Sequence, residues 1–279
     1  MSARALFAIA LSLAATTMMT IAQESNLQPQ DQASNLIGVS LGVIDFHQQD
    51  KYMTPLVVSG TMPAVYASFE LRLLENRHMF NGSFGVASMN PDEHPRDVTV
   101  HAGSLTYTFL HHIGCAELDG QSVQYFVGGG LSSFVTNTDF DSFDWTRSYQ
   151  SFDQTWYWSH SLDLVVRGET KSATLGAIAV QLRAPILALV SRPANGHWLS
   201  NENTKVGNHF LNAATRGTLQ YLWDDLVLST DIEYSKSLGG QLELRGVYRF
   251  DYVSSSRPDP TLSMKMYLNT FVMGVVWRF

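Results

Sequence analysis

The sequence predicts an all-β protein: a transmembrane antiparallel up-and-down β-barrel of ten strands, with twelve strands as the alternative. Apolar residues alternate with polar or small ones in stretch after stretch, the pattern of strands with two unlike faces. Only 15% of the 279 residues are charged, against about a quarter in ordinary globular domains. The mean hydropathy is nevertheless close to zero, at -0.05. This combination indicates an apolar outer face around an uncharged polar interior.

The final stretch, residues 271–279, alternates in the same way and ends on an aromatic residue. Five large apolar side chains share one of its faces: Phe271, Met273, Val275, Trp277 and Phe279. A strand with such a terminal aromatic resembles the closing strand of bacterial outer-membrane β-barrel proteins. The resemblance implies that this face is part of the signal read by the barrel-assembly machinery. It also implies a location in the outer membrane of a Gram-negative bacterium.

The first 22 residues are typical of a secretory signal peptide. Arg4 supplies the positive start, residues 5–15 are apolar, and Thr20, Ile21 and Ala22 form a cleavage site with small residues. An uncleaved membrane anchor is the competing interpretation, but this apolar run is short for a membrane span. We expect cleavage after residue 22, a flexible lead-in over 23–33 and a barrel over 34–279. No later apolar run reaches membrane-helix length, so a closed barrel is the remaining way to span a bilayer.

The first three strands are predicted at 36–46, 65–73 and 79–87. In each, large apolar residues recur at every second position, with small or polar residues between them. Glu70 and Arg72 fall on the polar face of the second strand. We therefore expect both side chains inside the barrel.

The fourth and fifth strands are predicted at 98–109 and 123–135. The alternation of the fourth changes phase near 101–104, which predicts a β-bulge there. The fifth places Gly128 and Gly130 inward.

The sixth and seventh strands are predicted at 156–166 and 175–184. Asp163 and Arg183 fall on their polar faces. Pro185 lacks a backbone donor, so regular pairing should weaken where the seventh strand ends.

The last three strands are predicted at 226–237, 242–252 and 264–279. Gly239 and Gly240 make a hairpin turn between the first two. The segment 217–223 alternates weakly. It is either an extra strand, which leads to the twelve-stranded alternative, or an extension of the strand that follows it.

The connections differ in length between the two ends of the predicted barrel. Those at the end of the N-terminus are predicted at 75–77, 110–121, 168–171 and 238–241. Those at the opposite end are predicted at 47–63, 88–97, 136–153, 190–223 and 254–261. Mostly short turns on the periplasmic side and long loops outside are typical of bacterial barrels.

Charged residues of both signs lie on the inward faces of the predicted strands. This predicted lumen charge network comprises Glu70, Arg72, Asp163, Arg183, Asp231, Glu233, Glu243, Arg245, Arg249 and Asp251. A ten-stranded barrel has a narrow interior, where such groups can pair across the lumen. The network is either structural filling or a charged path for small solutes.

His160 is predicted on the outer face, between Trp158 and Leu162. Some outer-membrane lipases and lipid A deacylases have a lipid-facing His two residues before a Ser on the same face. Here that position is Leu162, while Ser159 and Ser161 face inward. The resemblance therefore lacks its nucleophile, and the aspartate and histidine arrangement of the omptin proteases is not evident. We expect no catalytic residues, and we keep an outer-leaflet lipid-modifying enzyme of the deacylase or phospholipase type as the alternative function.

One predicted outward loop combines acidic and aromatic residues. Asp139, Asp141, Asp144 and Trp145 mark a possible extracellular-loop site, for Ca²⁺ or, given the aromatic content, for a protein partner. The EF-hand spacing and its glycine are absent, so we predict no metal site. His111, His112 and Cys115 are close together in a predicted turn, which lacks a fourth ligand.

The predicted function is that of a non-enzymatic outer-membrane barrel, either a narrow pore or a structural or partner-binding component. A net charge of -7 and the lack of a basic patch argue against nucleic-acid binding. We expect no cofactor. The expected partners are outer-membrane lipid and lipopolysaccharide, the assembly machinery, and a possible outer-membrane protein complex.

Overall fold

A computed structural model describes most of the predicted barrel. The described residues are 34–51, 57–90, 98–118, 121–139, 154–172, 176–192, 217–221, 225–256 and 263–279. The predicted signal peptide and lead-in lie outside these ranges, as do Asp141, Asp144 and Trp145. No helix among the described residues is long and apolar enough to cross a membrane.

Eleven β-strands make up the described part of the chain. They are β1 (Ser34–Asp50), β2 (Val57–Leu73), β3 (Asn76–Met89), β4 (Val98–Leu118), β5 (Gln121–Asp139), β6 (Gln154–Ser172), β7 (Gly176–Ser191), β8 (Thr218–Tyr221), β9 (Asp225–Gly239), β10 (Leu242–Ser255) and β11 (Met264–Arg278).

Ten of these strands form a closed antiparallel ring. Consecutive strands pair from β1 to β7, then β7 pairs with β9, β9 with β10, β10 with β11, and β11 with β1. At the closure, the Asn35 amide donates to the Phe279 carbonyl at 3.0 Å, and the Phe279 amide donates to the Asn35 carbonyl at 2.9 Å. Closure leaves no long edge strand unpaired. The prediction of a ten-stranded barrel is confirmed.

The short strand β8 continues the line of β9. It pairs with β7 over Leu187–Val190, while β9 pairs with β7 over Ala177–Arg183. One strand of the ring is therefore supplied by two successive segments of chain. The twelve-stranded alternative is wrong, and the prediction of an extension is confirmed.

The barrel has two different ends. Between β2 and β3, β4 and β5, β6 and β7, and β9 and β10, only two or three residues separate consecutive strands. We call this the turn end. The longer connections lie at the other end, which we call the loop end.

Three of the predicted turns are wrong, because strands occupy most of their residues. In 75–77, Asn76 and Arg77 already belong to β3. β4 continues to Leu118 and β5 begins at Gln121, so most of 110–121 is strand. A bulge between His112 and Gly114 lets β4 continue, and Gly114 has a φ of 151° there. Likewise, residues 168–171 belong to β6.

The bulge predicted at 101–104 is also wrong. The pairing of β3 with β4 is unbroken from Asn76 opposite His111 to Met89 opposite Val98. The apparent change of phase has another cause: β4 puts apolar side chains on its inner face near the loop end. Alternation of apolar with polar residues reports the phase of a strand only where its two faces differ in polarity.

Pro185 interrupts regular pairing as predicted. The ladder between β6 and β7 shifts register at this point, with Leu162 opposite Leu187 and Asp163 opposite Pro185. The pairing of β7 with β9 ends two residues earlier, at Arg183. The missing amide donor of proline accounts for the break.

The outer face of the ring is apolar. Leu41 of β1 is 66% exposed, and its cross-strand neighbour Met273 of β11 is 51% exposed. Alternate residues of the same strands are buried inside. A water-soluble β-barrel would present mostly polar residues on this outer face.

Candidate functional site: the charged interior

All ten residues of the predicted lumen charge network point into the barrel. Arg72 and Glu233 are partly buried, and the other eight are buried. They come from β2, β6, β7, β9 and β10. Strict alternation along each of these strands keeps them on the inner face.

Three of these ten residues belong, with three others, to a closed ring of six side chains with alternating charge, which we call the charged ring. Its members, in order, are Glu70, Arg77, Glu169, Arg167, Glu233 and Arg245. They come from β2, β3, β6, β9 and β10, which surround the lumen. Three negative and three positive groups therefore meet in one layer.

Arg77 is the residue that carries the ring across the barrel from β3 to β6. Its guanidinium nitrogen lies 2.6 Å from a carboxylate oxygen of Glu169 and 3.7 Å from one of Glu70. The guanidinium also stacks over Phe126, 4.1 Å from the ring centroid. These contacts span the inner faces of β4 and β5.

Arg167 and Arg245 complete the ring on the other side. Arg167 lies 3.5 Å from Glu169 and 3.2 Å from Glu233. Arg245 lies 3.0 Å from Glu233 and 3.5 Å from Glu70. Each ring member therefore has two neighbours of opposite charge, as buried charges require.

The ring fills the lumen at its level. The side chains of its six members are only 2 to 12% exposed. Groups lining an open aqueous channel would be wetted and therefore exposed. Arg72 caps the ring toward the turn end, with its Nε 2.8 Å from Glu70.

Three of the six ring members were absent from the predicted network. Arg77 was assigned to the turn at 75–77 and Glu169 to the turn at 168–171. Arg167 fell between that turn and the strand predicted at 156–166. Alternation could have found them, since Arg167 and Glu169 continue the inward phase of Asp163. The predicted strands were too short, but the assignment of alternate residues to the inner and outer faces was right.

A second group of charges lies on the loop side of the ring. Arg249 donates two hydrogen bonds to Asp231, at 2.6 and 3.1 Å. Arg183 lies 3.8 Å from Asp163, which also accepts a hydrogen bond from Ser161 at 2.6 Å.

Two further ion pairs involve residues near the ends of the barrel. Glu243 pairs with Arg278 toward the turn end. Asp50 and Arg192 lie 2.7 Å apart toward the loop end, and neither belongs to the predicted network.

The loop half of the interior is apolar, contrary to the expected polar lumen. We call this cluster the apolar layer. Its members are Ile44, Phe46, Val58, Met62, Ala64, Tyr66, Met89, Val98, Val100, Ala102, Phe134, Tyr157, Ala188, Val190, Val247, Val253, Met264, Met266, Leu268 and Val272. All are buried, and eleven of them are at most 2% exposed. The layer packs like the core of a soluble protein.

His160 lies on the outer face, as predicted, with its ring edge-on to Trp158 at 6.5 Å between centroids. Leu162 is also outward, at 48% exposure, while Ser159 and Ser161 are buried inside. The residue directly opposite His160 on the next strand is Ser133. A search for a serine on the same strand could not detect this cross-strand neighbour.

The other predicted residues fall into three positions. Asp139 is the last residue of β5. His111, His112 and Cys115 lie in β4 rather than in a turn, and His112 packs on Phe126 with 5.3 Å between ring centroids. No group of three His, Cys, Asp or Glu side chains within the described ranges could hold a metal ion.

The five residues of the predicted assembly signal lie on the outer face at the end of the chain. Phe271, Met273, Val275, Trp277 and Phe279 are 46 to 53% exposed. Trp277 and Phe279 are in contact, with 5.5 Å between ring centroids.

Comparison with known proteins yields similarity of fold only. No protein-family model matches the chain, and no curated protein matches it in sequence. Among solved structures it is similar to the outer-membrane protease OmpT from Escherichia coli, with a TM-score of 0.57 and 8% identity over 91% of this chain and 99% of that one. It also matches the translocator domain of the autotransporter NalP from Neisseria meningitidis, with a TM-score of 0.38 and 11% identity over 98% of this chain and 97% of that one. The chain has the closed antiparallel architecture of a bacterial outer-membrane barrel.

Proposed function

We propose that this protein is a non-enzymatic barrel of the Gram-negative outer membrane, in which the lumen is closed and the function is structural or partner-binding. The apolar outer face and the similarity to an outer-membrane barrel support the location. A closed barrel resists detergent, so the folded protein should migrate differently on a denaturing gel with and without boiling. Identical migration, together with release of the protein from membranes by carbonate, would contradict the proposal.

The observation that carries the closed lumen is the burial of the charged ring. Six charged side chains share one layer and leave at most 12% of any side chain exposed. The apolar layer fills the loop half of the same interior. A solute would have to displace both, and separating buried ion pairs is costly.

Conductance in planar bilayers tests this proposal. The purified protein should conduct far less than an open 16-stranded porin. Replacing both Glu233 and Arg245 by Ala removes two long side chains and no net charge, so conductance should rise. Replacing both Glu243 and Arg278 by Ala is the matched control, because this pair lies outside the ring. A wild-type conductance as large as that of a porin would overturn the closed lumen.

The aromatic end of β11 is proposed as the assembly signal. Burial of a Phe contributes about 1.5–3 kcal/mol, so packing alone predicts similar effects for any exposed Phe of this strand. If the terminal residue is recognised during assembly, deletion of Phe279 should lower the outer-membrane level sharply, while Phe271→Ala should do much less. The measurement is the amount of heat-modifiable protein in the outer membrane. Equal mild effects would argue against a signal.

The position of Ser133 opposite His160 favours one alternative, an outer-leaflet lipid-modifying enzyme. A serine next to a histidine is the start of a nucleophile-base pair. The assay is release of fatty acid from phospholipid or lipid A by the purified protein, with Ser133→Ala and His160→Ala as variants. The non-enzymatic proposal expects no release. Release that both variants abolish would replace it with the enzyme.

A further inference from the structure

The outer wall over β4, β5 and β6 contains two hollows that meet. The one nearer the loop end has a volume of about 440 Å³ and is lined by Phe84, His101, Gly103, Asn137 and Trp158, among others. The second has a volume of about 530 Å³ and reaches the outer face of β7 and β8. Leu105 and Ser133 line both. We call the two together the outer trough.

Small residues between large ones create the outer trough. Gly103 is flanked on neighbouring strands by Phe84 and Val135. Ser133 is flanked by Leu105 and His160. The wall is therefore recessed where its neighbours project, and the recess runs from near the loop end toward the middle of the barrel.

The position of the trough limits what can occupy it. It is continuous with the apolar outer face, which contacts lipid if the proposed membrane location is correct. The second hollow, farther from the loop end, is lined mainly by apolar residues, including Leu131, Leu162 and Leu187. An acyl chain has the shape and polarity to fill such a groove.

Asn137 places a buried hydrogen-bond acceptor in the wall of the hollow nearer the loop end. It is only 6% exposed, and its Oδ1 accepts no hydrogen bond from any described residue. Buried acceptors nearly always have a donor. A ligand that supplies an N–H or O–H where its chain begins would meet this need after a rotation of the amide that exposes the covered oxygen to the hollow.

We propose that the outer trough binds one lipid of the leaflet at the loop end, with its acyl chain along Leu105 and Ser133 and a donor group beside Asn137. The lipid is therefore one with an amide-linked or hydroxylated acyl chain rather than a simple glycerol diester. This proposal rests on the proposed membrane location, but not on the closed lumen.

Two probe lipids test the effect of the hydrogen-bond donor separately from that of the rest of the lipid. N-palmitoyl sphingomyelin and dipalmitoyl phosphatidylcholine share the phosphocholine head group, but only sphingomyelin has an amide N–H and a free hydroxyl. Each is added to the detergent-solubilised protein, and the bound fraction is measured by native mass spectrometry. The wild type should retain about two- to tenfold more sphingomyelin, the factor expected for one additional hydrogen bond.

Three variants locate the site. Asn137→Leu should abolish the preference between the two lipids while leaving chain binding in place. Gly103→Leu should reduce retention of both lipids, because the new side chain would enter the trough. The barrel should tolerate the change, since a Cβ at Gly103 makes only ordinary contacts, at 3.4 Å to the Ser83 carbonyl oxygen and 3.5 Å to Phe84. Gly129→Leu is the matched control. It is an outward glycine of β5 whose Cβ would lie 3.4 Å from the Asp163 carbonyl oxygen, and it lines neither hollow.

The outcomes separate this proposal from the proposed function. Equal retention of both lipids by the wild type, or equal losses in Gly103→Leu and Gly129→Leu, would overturn the lipid site. All variants must show the heat-modifiable migration of the folded barrel. A protein that is heat-modifiable and closed to ions but binds no lipid in the trough would keep the proposed function and reject this inference.

Discussion

The two halves of the interior are closed by opposite kinds of chemistry. Near the turn end, six charged groups satisfy one another in the charged ring. Near the loop end, the apolar layer is filled by side chains such as Phe46, Met62 and Met266, each 0% exposed. Ionic closure depends on every partner, because one missing group leaves a buried charge unpaired. Apolar closure depends on volume, and a missing group leaves a cavity whose cost depends on how far the neighbours relax.

The largest effect should come from removing one charge of the ring. Glu70 contacts Arg72, Arg77 and Arg245, so Glu70→Ala leaves three guanidinium groups without a shared partner. We expect the free energy of unfolding in lipid vesicles to fall by about 3–5 kcal/mol, measured by urea titration. Glu70→Gln, which keeps shape and hydrogen-bonding oxygen, should cost less. Equal stability of Glu70→Ala and wild type would mean that the ring does not support the fold.

A somewhat smaller loss of unfolding free energy should follow the truncation of a side chain in the apolar layer. Met266→Ala removes a fully buried side chain from β11, and we expect a loss of about 2–5 kcal/mol in the same titration. Met273→Ala is the control on the same strand, since Met273 is outward and 51% exposed. Similar losses for both variants would show that the layer is not packed as described.

Replacing an ion pair by apolar residues should cost little. Asp231 and Arg249 are joined by two hydrogen bonds next to the apolar layer. The double change Asp231→Leu and Arg249→Met should leave stability unchanged or raise it by about 1–4 kcal/mol, because both charges lose their desolvation cost together. Arg249→Met alone should be strongly destabilising. If the double variant is less stable than the wild type, the ion pair stabilises the barrel more than an apolar filling of the same space.

The smallest effect should come from the margin of the network. The side chain of Lys171 is 42% exposed, and its Nζ lies 3.8 Å from Glu169. Lys171→Ala should change the free energy of unfolding by at most about 1 kcal/mol, with less effect at high salt. A loss of unfolding free energy as large as that of Glu70→Ala would show that Lys171 contributes to stability as much as a member of the charged ring.

The same comparison explains what the sequence could predict. Charges alternate with apolar residues on β2, β9 and β10, so the facing of Glu70, Asp231 and Arg245 followed from period two alone. On β4 near the loop end, both faces lack charge, and Val98, Val100 and Ala102 gave no sign of which way they point. Alternation identifies an inner face only where that face is polar.

Pairing across the lumen could not be predicted at all. Arg77 and Glu169 are 92 positions apart in sequence and lie on strands separated by β4 and β5. Their contact depends on the stagger of every strand between them, including the bulge at His112–Gly114. Local sequence patterns contain no information about accumulated stagger. The cross-strand position of Ser133 beside His160 was missed for the same reason.

The pairing of β1 with β11 has a consequence for the order of events during biogenesis. Leu36 meets Arg278, so β1 lacks this partner until β11, far later in the sequence, has been synthesised. Until then both β1 and β10 present open edges, which readily pair with other chains. Contacts this distant in sequence also form slowly. We therefore expect a chain cut short before β11 to aggregate rather than form a smaller barrel.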